Sequence, residues 1–236
     1  MALKDSLQGY WKLEEASGNR VDSHGANTLT DNNTVTSAVG KIGTAGQFTA
    51  ANSEFLSVAD NAALSMGNID FAMAAWVYFD TVADAKAIIS KGNTGTFDYE
   101  YLLRTRDNGG NIQFFLQISD GSANEGLVHA TTFGVPSTAT WYWVFCYHDA
   151  TANTIGISVN NGTVDTTAYT FGSNDGAGAF NIGAYLSNQM FFNGRIDEVA
   201  IWKRVPTTAE RTEIYNGGNG LAFDSWDVKS GFFSIL

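Results

Sequence analysis

An all-β sandwich closed by one short C-terminal helix is the fold class this sequence predicts. Apolar residues recur with period two in several stretches, glycine is abundant and proline scarce at 25 against 2, and aromatic residues reach 13%. Period two marks a strand with one buried face, and abundant glycine and aromatics suit short strands joined by tight turns. A chain of 236 residues is long enough for one such sandwich. The expected organisation is a single domain over residues 1–224, with residues 225–236 as a tail.

The elements follow in order. FAMAAWVYF sets Phe71, Met73, Ala75, Val77 and Phe79 against Trp76 and Tyr78. NIQFFLQIS puts Ile112, Phe114, Leu116 and Ile118 on one face and Gln113 and Gln117 on the other, a half-buried strand. WYWVFCYHD is apolar or aromatic on both faces and belongs in the middle of a sheet, with Cys146 a small buried hydrophobe. TIGISVNNGTV presents Ile155, Ile157 and Val159 on one face and then predicts a hairpin turn at Asn161-Gly162. PTTAERTEIYNGG departs from period two: Thr207 followed three residues later by Glu210 is a capping box, and Gly217 closes a helix over about 208–216. LAFDSWDVKSGFFSIL reads as a further short strand or an arm with an apolar end, a surface for a partner or a second copy of the chain.

Charge narrows the partners. With 24 acidic and 13 basic residues the formal charge is −11, so phosphate backbones and anionic membranes are repelled. Neither nucleic-acid binding nor membrane insertion is expected, since no window approaches the roughly 18 apolar residues of a span. MALKDSLQGYWKLEE lacks the apolar run of a secretory signal, which fits a protein made in the cytoplasm, including a virion component. The single Cys146 excludes an internal disulfide.

Several stretches occur in a familiar order: YWKLEEASGNRVDSHGANTLT, GKIGTAGQFTAANSEFLSV, IDFAMAAWVYF, WYWVFCYHD, ISVNNG, the pair Ile182-Gly183, and FFNGRIDEVAIWKRVPTTAERTEIYNGG. Over roughly residues 8–217 the chain resembles the laminin G-like domains of the concanavalin A-like lectin/glucanase jelly rolls. The resemblance implies a two-sheet antiparallel jelly-roll sandwich whose terminal segments pair near one another. It also implies a calcium ion between an early loop and the late strand, here Asp22 and Asn27 of DSHGAN and Asp197 of GRIDEV. A second reading stands beside it, in which Asp197 caps backbone N–H groups and Asp22 shapes a turn. Glu198, its neighbour along the strand, should face the opposite side and meet water.

The fold also carries glycoside hydrolases, which need two carboxylates flanking one bond. The nearest approach is FDYEY, where Asp98 and Glu100 share a face but lack the E-x-D-x-x-E pattern. A non-enzymatic, lectin-like module is the better reading, with Asp98, Tyr99, Arg104, Arg106, Asp107, Asn108, Tyr185 and Asn188 as candidate contacts to a glycan. The expected setting is a phage decoration or fibre protein in the virion touching a host surface, with capsid or tail proteins as further partners. A bacterial extracellular carbohydrate-binding module and a polysaccharide hydrolase are the alternatives.

Overall fold

The computed structural model describes residues 2–93, 97–186 and 188–227. The apolar tail Phe232, Phe233, Ile235 and Leu236 lies outside them. Two antiparallel sheets face each other. The first runs from edge to edge through β13 (Asp165–Ala168), β12 (Thr154–Val159), β11 (Trp141–Asp149), β6 (Phe71–Phe79), β15 (Gly194–Trp202), β4 (Thr44–Phe48) and β3 (Thr36–Val39), while β1 (Leu7–Trp11) pairs with β15 beyond β4. The second runs through β10 (Glu125–His129), β9 (Asn111–Ser119), β8 (Tyr99–Asn108), β7 (Ala87–Gly92), β14 (Phe180–Ile182), β5 (Phe55–Val58) and β2 (Thr30–Asn32).

The inward residues of both sheets build the main core. Met73, Ala75, Val77 and Phe79 of β6 and Val144 and Cys146 of β11 meet Tyr101 and Leu103 of β8 and Phe114, Leu116 and Ile118 of β9. Strict alternation of these strands makes that possible, and each fully buried side chain of this kind contributes about 1.5–3 kcal/mol. The sandwich and its central aromatic strand β11 therefore stand as the sequence predicts.

A second apolar layer covers the outer face of the eight-stranded sheet. Trp76, Trp143, Phe145 and Trp202 point away from the main core and are roofed by Leu3 and Leu7, by Ile214 of the helix α1 (Thr208–Tyr215), and by Phe223 and Trp226. The alternation of WYWVFCYHD between two apolar faces thus reflects two cores on either side of one sheet. Residues Phe223–Ser225 form a 3-10 turn, which rules out the strand there, one of the two readings of this segment. Trp226 stacks on Trp202 with centroids 5.8 Å apart.

Local details follow the sequence closely, with two shifts of one residue: Asn216 rather than Gly217 ends α1, and the hairpin turn falls one position early. Thr207 accepts from the Glu210 N–H and Glu210 returns a bond to the Thr207 N–H, completing the capping box, and Asn216 ends the helix in a left-handed conformation. In the β12–β13 hairpin the Gly162 N–H bonds the Val159 carbonyl, so Asn160 and Asn161, with φ of 53° and 52°, occupy the left-handed positions in place of Asn161-Gly162. Asparagine tolerates that region better than other non-glycine residues.

Candidate functional site

The seam between β1, β4 and β15 holds the calcium candidates. One edge of β15 is shared: Gly194–Ile196 pairs with β4, and Val199–Trp202 pairs with β1. Between them the register with β6 shifts, so that Asp197 faces Trp76 and Ala200 faces Ala74, with Glu198 at φ of 51°. This is a one-residue bulge, and it breaks the alternation. Glu198 consequently does not face water: it is 5% exposed and accepts a hydrogen bond from the Tyr10 hydroxyl within the second apolar layer. That corrects the expectation drawn from period two.

Each carboxylate has its own task. Asp197 is fully buried, and its Oδ2 accepts from the N–H groups of Lys41 and Ile42 at 2.7 and 3.0 Å, pinning the turn that precedes β4. Its Oδ1 is buried without a partner. Asp22 organises its own loop, with Oδ1 accepting from the N–H groups of Tyr10, His24 and Gly25 and Oδ2 accepting from the backbone and amide nitrogens of Asn27. Burial raises the Asp197 carboxyl to about 7 and the Glu198 carboxyl to about 8.

Calcium needs six to eight oxygens with lone pairs directed at it. Here both oxygens of Asp22 and one of Asp197 are directed at N–H groups, whose positive ends stand where a cation would. Among the described residues no group of three or more His, Cys, Asp or Glu side chains is placed to hold a metal ion. The donor set as arranged does not fit calcium, and the bonds formed are those of the fastening reading. His24 lies exposed in its loop.

The glycan candidates distribute differently. Arg104 and Arg106 alternate with inward Leu103 and Thr105 along β8 and reach the outer face of the seven-stranded sheet, each over the Phe115 ring. Tyr99, Leu102 and Tyr185 form a small apolar cluster on that face with Ala87, flanked by Leu186 and Met190. Gln117 joins the parts: its amide donates to the Tyr99 hydroxyl at 2.5 Å and to Glu125 at 2.8 Å, and its oxygen accepts from Arg104 at 3.2 Å. Asp98 accepts from Asn174 beside this cluster. Asp107 accepts from the Gly110 N–H and Asn108 donates to Gln113, so both shape the β8–β9 turn. Asn188 is exposed in the 185–190 loop.

Phe115, Gln117 and His129 belong to this face although sequence reasoning did not select them. The signal was available: Phe115 falls between Gln113 and Gln117 on the wet side of NIQFFLQIS, an aromatic where water was expected. Glu100, by contrast, turns inward at a second bulge, where the register with β7 shifts. It is 1% exposed, bonded to Lys91 and to the N–H groups of Gly176 and Met66, while Lys91 also holds Asp60 at 2.8 Å. Burial raises Glu100 to about 7 against the pull of Lys91, and the Lys91 bond lowers Asp60.

Comparison with known proteins follows from this geometry. Residues 43–210 match the family Laminin_G_3, described as the concanavalin A-like lectin/glucanases superfamily. A search of curated sequences gave no match. Among solved structures, domain 4 of AbnA, a GH43 extracellular arabinanase from Geobacillus stearothermophilus, in complex with arabinotriose, superposes with a TM-score of 0.61 at 18% identity, covering 88% of this chain and 97% of that one. The binding domain of Paraclostridial Mosquitocidal Protein 1 gives 0.65 at 15%, over 92% and 53%. The binding domain of Botulinum neurotoxin DC, in complex with rat synaptotagmin II, gives 0.67 at 10%, over 91% and 52%. This chain thus spans about half of each toxin binding domain. At such identities the likeness is one of fold. With a family match over most of its length and two stacked antiparallel sheets to support it, the chain belongs to the concanavalin A-like lectin/glucanase superfamily.

Proposed function

We propose that the protein is a non-enzymatic, lectin-like binding module that holds a glycan on the outer face of its seven-stranded sheet. The observation that carries this reading is an asymmetry. The other sheet's outer face is covered by Leu3, Leu7, α1, Phe223 and Trp226, whereas this one presents Arg104, Arg106, Gln117 and Tyr99 around Phe115. Guanidinium and amide groups fixed on strands suit hydroxyl-bearing ligands. The arabinotriose in AbnA domain 4 and the binding domains of the two toxins support a recognition role for the fold. Hydrolysis is disfavoured because Glu100, the acid nearest to a catalytic pattern, is enclosed by Lys91.

The finer setting, a phage decoration or fibre protein carried on the virion, is proposed on the sequence resemblance, with an extracellular bacterial module as its rival. A glycan array and pull-down with host-cell polysaccharide test the binding reading. Arg104→Ala and Gln117→Ala are expected to reduce retention at least tenfold at unchanged fold, and flat responses across the array would overturn it. Calcium is assigned no role at Asp22, Asn27 and Asp197. The melting temperature is accordingly expected to match in chelator and in millimolar calcium, whereas native-state binding would raise it by the mass-action stabilisation.

A further inference from the structure

The outer face of the seven-stranded sheet concentrates positive charge on one ring. Arg104 stands opposite Phe115 across the β8–β9 register, and Phe115 stands opposite His129 across β9–β10. The guanidinium carbons lie 5.3 Å (Arg104) and 4.8 Å (Arg106) from the Phe115 centroid, and the His129 ring is centred 4.4 Å away. Phe115 itself is wholly buried beneath them, so a ligand meets the cations and not the ring.

These cations are poorly compensated. Among the described residues neither arginine enters an ion pair. Two nitrogens here, Arg104 Nε and His129 Nδ1, are buried without a hydrogen-bond partner. The carboxylates nearby make their hydrogen bonds to other groups, Glu125 accepting from Gln117, Asp84 from the N–H groups of Ala85 and Asp107, and Asp107 from Gly110, although Asp84 still acts on Arg104 through its charge. Burial and the neighbouring Arg106 disfavour the Arg104 charge while Asp84 favours it, and in a chain of net charge −11 a bound anion would relieve the remaining repulsion between the two like charges.

We propose that this face recognises a saccharide carrying an isolated carboxylate, such as a terminal acidic sugar. The inference rests on the lectin-like reading and names the ligand class of that site. A planar carboxylate matches the guanidinium fork. Stacking on Phe115 holds both arginines in place before the ligand arrives, which lowers the ordering cost of binding. The overall negative field disfavours a dense polyanion or nucleic acid, so one acidic group among neutral sugars is the fitting partner.

Calorimetry with two matched pairs tests this: methyl galacturonoside beside methyl galactoside, and sialyllactose beside lactose. At least one acidic member is expected to bind ten or more times tighter than its neutral parent, and to weaken as salt rises from 50 to about 200 mM. Arg106→Gln, at a half-exposed position on the strand, is expected to abolish that preference at unchanged melting temperature, while Lys12→Gln on the opposite side leaves it intact. Equal affinity within both pairs, or a preference that survives Arg106→Gln, overturns the acidic-sugar assignment and leaves the lectin reading standing. Tighter binding of heparin than of either acidic sugar overturns the isolated carboxylate in favour of a polyanion. No binding of any saccharide here or on the array overturns both.

Discussion

Asp197 and Glu198 show how one extra residue decides what two neighbours do. In GRIDEVAIW the core-facing residues are Ile196, Val199 and Ile201. A spacing of three followed by two is impossible in a regular strand, so the bulge was legible in the sequence; reading the two carboxylates as a simple in-out pair overlooked it. The same holds at β8, where Tyr99 and Leu102 share the outer face across an odd spacing. A protonated Glu198 suits its apolar surroundings, and the sign of its pH dependence follows. Its folded pKa, about 8, lies above the unfolded carboxyl value of 4.5, so its stabilising contribution is complete only below that value and is lost progressively as pH rises from there through 8. Glu198→Gln, which keeps the side chain neutral, is expected to match the wild type near pH 5 and to exceed it by a few kcal/mol near pH 9. Urea unfolding at the two pH values measures this, and parallel behaviour at both would refute it.

Among the elements, α1 carries a purely local sequence signal. Thr207 and Glu210 announce its start without reference to anything distant, and Glu210 is further anchored by Arg204 at 2.8 and 2.9 Å. Thr207→Ala is expected to cost about 1 kcal/mol, read as a drop of about 2–4 °C in melting temperature. A drop below 1 °C would mean that Ile214 docking alone holds the helix. β6, β9, β11 and β12 were equally legible because alternation is a local property, whereas short strands such as β2, β3 and β14 are too brief to show it. What alternation could not reveal was which polar face stays open: Arg104, Arg106 and Gln117 look like any solvated side chains until the sheet order sets β8 beside β9 and brings them over Phe115. The site thus lay in strand pairing, a long-range property, while its members were half visible as individual residues.

For the whole molecule, the second apolar layer decides how much of the chain belongs to the folded unit. Trp226 is 4% exposed, stacks on Trp202 and meets Tyr10 edge-on at 4.9 Å, and Phe223 stacks on Tyr10 at 4.2 Å. Trp226→Ala is therefore expected to destabilise the protein by about 3–5 kcal/mol, as for other buried aromatic truncations. Denaturant midpoints report it, and a loss below 1 kcal/mol would identify residues 221–227 as a detachable strap.

That layer also fixes on which side of the sandwich the first and last described segments run. Lys4 pairs with Asp227 at 2.5 Å and Lys12 with Asp224 at 2.9 Å, so the segments around Lys4 and Asp227 lie side by side behind the eight-stranded sheet, with the full thickness of the sandwich between them and the arginines. The forward surface is thereby left clear of both segments and free to meet a cell wall or polymer.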